Sequence, residues 1–222
     1  MKKCIERKMG IKNILALVLS ALTIFGACMI GFSNEAFAAG SVDASILGST
    51  NGKSYTNEYF GVKIPLFKNS TIGTDADLAA DNGVDPNGYS ADKRIAAINA
   101  GEHVYIQHFE SNNNVVSIAV GKFDSKEEKQ IFMKTIAKDD LQSTIDAWNE
   151  DPDFTISESG LKKINCFGKD RPVILVKGQY AGRNFTSAHT FYFKDDCYME
   201  VLIDGFGRNQ TEVLKKSSLL KK

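Results

Sequence analysis

Between residues 161 and 203 four β-rich runs follow one another with connections of only a few residues, and this spacing constrains the fold more than any other part of the chain. The runs are 161–166, 173–180, 185–193 and 198–203, divided by Gly168-Lys169-Asp170, Ala181-Gly182-Arg183 and Lys194-Asp195-Asp196. Parallel neighbours need a crossover of about a dozen residues or more, so connections this short demand an antiparallel meander. A second hairpin is predicted upstream from runs 104–109 and 115–120 around Asn112-Asn113-Asn114, and two short strands flank Asn57-Glu58 within 55–65.

Helices are predicted to cover this sheet. Ser90 is placed to cap a helix that ends at Asn99 before Gly101, and a shorter helix is expected near 75–80. Ser125 and Glu128 have the spacing of a capping box, and Phe132, Ile136, Leu141, Ile145 and Trp148 form one apolar stripe behind it. A break is expected at Lys138-Asp139-Asp140, and Pro152 stops the segment. A last helix, capped by Asn209, is expected over 211–220. The fold class is therefore α+β, an α/β/α sandwich with a central antiparallel sheet, over residues 53–222. Residues 39–52, with Gly40, Gly48 and Gly52 among small polar residues, read as a flexible tether.

Residues 1–38 read as a signal peptide. Lys2, Lys3, Arg7, Lys8 and Lys12 form a basic start, 14–32 is an uncharged apolar run, and Ala36-Phe37-Ala38 precedes Ala39 as a small-x-small cleavage site. Three fates stay open. Cleavage releases the domain, retention makes 14–32 a single anchor, and Phe25-Gly26-Ala27-Cys28 offers Cys28 for lipidation. All three give an extracellular or cell-surface location, with membrane attachment only if the leader is retained or Cys28 is lipidated. Removing residues 1–38 leaves 22 basic and 25 acidic residues, a balance that argues against a nucleic-acid partner.

Candidate chemistry is sparse. Cys166 and Cys197, exported together, either form a disulfide or remain two buried thiols. Asp75, Asp77, Asp81 and Asp85 supply oxygen ligands suited to calcium, although a loop begun at Asp75 has Ala79 where the fifth position needs an oxygen. His103 and His108 are five apart and point to opposite faces of a regular strand, unless a bulge intervenes. Cys166 or Cys197 beside His189 is a conceivable thiol–imidazole pair. Asp139-Asp140 and Asp195-Asp196 read as solvated turn charges, and Tyr180, Phe185, Tyr192 and Tyr198 as sheet core. No nucleophile elbow, HExxH, phosphate loop or dinucleotide fingerprint is present, and no cofactor is expected.

The opening Tyr55-Thr56-Asn57-Glu58-Tyr59-Phe60-Gly61-Val62-Lys63-Ile64-Pro65 resembles the entry motif of small exported PsbP-like proteins of Gram-positive bacteria. Residues 113–120, Asn-Asn-Val-Val-Ser-Ile-Ala-Val, resemble that family's second hairpin strand. Leu66-Phe67-Lys68 stands where a tryptophan tends to follow in the family. The resemblance implies the same sandwich and brings no catalytic residues, its members acting mainly as binding or assembly modules. The expectation is a non-enzymatic exported domain that binds a protein or cell-envelope partner; the alternative is an unrecognised extracellular hydrolase or metal-dependent enzyme.

Overall fold

A computed structural model describes residues 40–87, 89–111, 113–207 and 210–221. The expected signal peptide, Cys28 and the expected cap at Asn209 lie outside the described residues. A seven-stranded antiparallel sheet runs through the domain in the order β4 (Thr71–Ile72), β5 (Val104–Ser111), β6 (Asn114–Lys122), β10 (Cys197–Phe206), β9 (Arg183–Lys194), β8 (Lys169–Tyr180), β7 (Phe154–Cys166). The last four are the meander that the short connections required. Its turns are tight: Phe167-Gly168 and Ala181-Gly182 each place both residues at positive φ, the backbone that matches the twist of two adjoining strands.

Helices and a second sheet cover the two faces. On one face lies α3 (Lys126–Glu150), with α1 (Asp75–Asp81) beside it on β5. On the other lie α2 (Ala91–Asn99), α4 (Gln210–Lys216) and a small sheet of β1 (Ser49–Thr50), β2 (Ser54–Asn57), β3 (Val62–Pro65) and β11 (Ser218–Leu219). The α+β class and the central antiparallel sheet are those expected from the sequence. Alternation along β10 shows how the layers divide: Cys197, Met199, Val201 and Ile203 join the core under the small sheet, while Tyr198 and Leu202 join the core under α3. No helix among the described residues is long and apolar enough to cross a membrane.

Three expectations change. Residues 42–50 are packed rather than a flexible tether. Val42, Ile46 and Leu47 are buried, Ala44–Leu47 forms a 3-10 turn capped by Asp43, and β1 pairs with β2. The cause is Asn57 in the opening motif. Its fully buried amide donates to Ile46 O (2.8 Å) and to Tyr55 Oη (2.7 Å) and accepts from Phe60 N (3.0 Å), tying the turn to the β2–β3 hairpin. Next, α3 is unbroken through Lys138-Asp139-Asp140, because Asp140 faces the sheet instead of ending a helix. Finally, the last helix stops at Lys216, where the chain extends to pair Ser218 and Leu219 with β3.

Candidate functional site

The polar residues that matter lie on the face beneath α3. On β9 and β10, His189 is directly opposite Leu202, so Glu200 and Asp204 flank it diagonally, and Ser187 is opposite Asp204. Above them the helix presents Phe132, Ile136, Asp140, Thr144 and Trp148, each four residues after the last, so Asp140 descends on the same stripe as the apolar anchors. Asp140, His189 and Glu200 are all at most 1% exposed. Two aromatic groups close the ends of the layer. Phe123, Phe132, Phe191 and Tyr198 pack at one end, and Trp148, Phe154 and Phe185 at the other.

Within the cluster His189 Nδ1 lies 3.2 Å from Asp140 Oδ2 and 3.7 Å from Glu200 Oε1, and its Nε2 lies 2.7 Å from Ser187 Oγ. The second oxygen of Glu200 is 3.4 Å from His103 Nε2, and the other nitrogen of that ring meets Tyr198 Oη at 2.9 Å. His103, partly exposed at the sheet rim, thus connects the buried group to the surface. Both Glu200 oxygens and Asp140 Oδ1 are buried without a hydrogen bond.

Three carboxyl groups and one imidazole in such a place perturb one another. Burial by itself would push His189 down, but the charge of Asp140 and its hydrogen bond, with Asp204 and Glu200 adding, outweigh it and hold the imidazole above its usual range. Burial raises Glu200, with the charge of Asp140 adding and that of His189 opposing. Burial likewise raises Asp204 against the pull of His189. His103 is pushed down by burial. Chemically the cluster can exchange protons internally or hold a cation; with its members sealed, it presents no reacting group to a substrate.

The residues singled out from the sequence go elsewhere. The four aspartates of the calcium expectation are not brought together as ligands. Asp75 pairs with Arg94 at 2.8 Å, Asp77 closes a capping box with Thr74, Asp81 meets His108 Nδ1 at 3.1 Å, and Asp85 accepts from Asn87. Cys166 and Cys197 are free, buried thiols. They stand on β7 and β10 with β8 and β9 between, roughly 14 Å of sheet, which no disulfide spans. Both thiols belong to the core under the small sheet, so neither pairs with His189 on the opposite face. A bulge between Tyr105 and Gln107 does interrupt β5, yet His103 and His108 still serve different partners. Tyr180, Phe185 and Tyr198 are buried in the core and Tyr192 packs partly buried against it.

The sequence patterns above do not single out Asp140, Glu200 and Asp204, and Asp140, expected there as a solvated turn charge, is buried. The signals were present: a carboxylate on the i, i+4 stripe of α3, and two more inside the otherwise apolar Tyr198-Met-Glu-Val-Leu-Ile-Asp204 run.

No family model matches the chain, and no curated protein sequence does. Among solved structures it is similar to cyanobacterial PsbP (CyanoP) from Synechocystis sp. PCC 6803, at 10% identity over 78% of this chain and 98% of that one, with a TM-score of 0.44. It is also similar to LpqN, involved in cell envelope biogenesis of Mycobacterium tuberculosis, at 10% identity over 72% and 83% of the two chains, with a TM-score of 0.34. Neither similarity bears on what the chain does.

Proposed function

We propose that this chain is an exported, non-enzymatic domain that binds a protein or another component of the cell envelope. The observation that carries this reading is the sealing of Asp140, His189 and Glu200, the densest group of reactive side chains among the described residues, between α3 and the sheet. Catalysis needs a reacting group within hydrogen-bond reach of a substrate, and these three buried side chains face one another, Ser187 and His103. What the domain offers outward is surface, and the basic, apolar and small-residue order of residues 1–38 supports its delivery across a membrane. The test is capture from envelope extracts on the immobilised domain, scored by competition with the soluble domain, alongside a panel of hydrolase substrates. A stoichiometric, competed envelope component and no turnover support the reading. Turnover abolished by Glu200→Gln, with nothing captured, refutes it.

A further inference from the structure

We infer that Asp140, His189 and Glu200 form a buried binding site for a single first-row divalent metal ion of the zinc class. The spacing of the donors is the first ground. Bonds of about 2.1 Å to a tetrahedral ion set its ligand atoms about 3.4 Å apart. Here His189 Nδ1 stands 3.2 Å from Asp140 Oδ2 and 3.7 Å from Glu200 Oε1, and all three donor atoms lie within 4.8 Å of one another.

The unpartnered oxygens are the second. A buried carboxylate oxygen without a hydrogen bond costs on the order of 1–3 kcal/mol, and native cores leave few of them. Glu200 leaves two and Asp140 one, all in this cluster. A divalent ion brings two positive charges to Asp140, Glu200 and Asp204, where His189 alone offers one.

The surrounding partners have the arrangement that orients metal ligands. Ser187 Oγ lies 2.7 Å from His189 Nε2, placed to hold that nitrogen while a bound ion takes the position of the Nδ1 proton that faces Asp140. His103 Nε2 lies 3.4 Å from the far oxygen of Glu200, without a hydrogen bond between them. The donor set also selects the ion. Imidazole nitrogen favours zinc and its first-row neighbours, while calcium takes six to eight oxygens and magnesium keeps several waters, for which this sealed layer is poorly suited. Because α3 covers the site, the ion is taken up as the chain folds and leaves only when the helix lifts. A structural ion of this kind is independent of partner binding at the surface.

The test uses the full chain in detergent, unfolded with EDTA and refolded with or without Zn2+, Ni2+ or Co2+, with bound metal counted after gel filtration in chelator. One ion per chain is expected to stay with the folded protein and to be released on unfolding, with a higher melting temperature in its presence. Asp140→Asn and Glu200→Gln are each expected to abolish retention, and Ser187→Ala to weaken affinity about ten- to hundredfold. His108→Asn is expected to change nothing. Absence of a stoichiometric ion and of any thermal shift with all three metals overturns the inference, as does retention that survives in Asp140→Asn and Glu200→Gln or is lost in His108→Asn. If those variants fail to fold, the wild-type stoichiometry and the visible spectrum of the cobalt form decide, a six-oxygen spectrum without imidazole counting against the site.

Discussion

Replacing His189 by leucine in metal-free protein tests the electrostatic account of the core. At 3.2 Å and an effective dielectric constant of about 20, an imidazolium and a carboxylate attract by about 5 kcal/mol before desolvation is counted. His189→Leu removes that partner and leaves Asp140, Glu200 and Asp204 buried against one another. Removing one member of a buried ion pair costs about 3–5 kcal/mol. A loss of that size is therefore expected at neutral pH in urea titrations, followed by the fluorescence of Trp148, the single tryptophan, eight positions beyond Asp140 on the same helix. Adding Asp140→Leu is expected to recover at least about 2 kcal/mol, because swapping both members of a buried pair for apolar side chains is often neutral or favourable. If His189→Leu costs less than about 1 kcal/mol, or if the two substitutions simply add, the cluster is not the coupled charge network described above.

Gly178→Ala is expected to destabilise by about 2–3 kcal/mol in the same titration, since its Cβ would lie 2.1 Å from the Thr155 carbonyl oxygen beside the β7 bulge, where only backbone could yield. Asn57→Ala is expected to cost about 2 kcal/mol or more and to open residues 42–50 to limited proteolysis, because it strips the Ile46 carbonyl and the buried Phe60 amide of their partner; unchanged cleavage would contradict the packing of that segment. In a chain starting at residue 40, Cys166 and Cys197 are expected to resist thiol reagents at pH 8 until urea unfolds the protein. Burial, with the charge of Asp196 adding against the Tyr59 hydroxyl, pushes the Cys197 thiol up to about 11, so little thiolate exists there and labelling should follow the unfolding curve.

What the sequence made legible was local. Short turns dictated the β7–β10 meander, Ser90 and Ser125 accept from the third amide of their helices as their spacing implied, and the helix over 91–99 ends before Gly101. Even the capping box at Ser125 differs in detail, since Glu128 accepts from Asp124 N rather than from the serine's own amide. The misreadings share a cause. Asp139-Asp140 looks like a break because two adjacent acids favour a turn, and only the sheet beneath shows that one of them points inward. Ile46 and Leu47 look like stray apolar residues in a small polar stretch until Asn57, eleven and ten positions later, supplies the amide that holds their turn. The cluster joins residues 140, 187, 189, 200 and 204 across three elements, a convergence that only strand register creates.

The register between β6 and β10 sets a rule for how the molecule can be made. Residues 114–122 sit in the middle of the large sheet only because residues 197–205 lie alongside them, so the inner strand waits for about 75 further residues before its second neighbour exists. A polypeptide made N-terminus first must therefore carry a bare hydrogen-bonding edge through this interval and complete its architecture only at the end. Shortened products that stop before position 197 should clump instead of yielding a smaller stable unit.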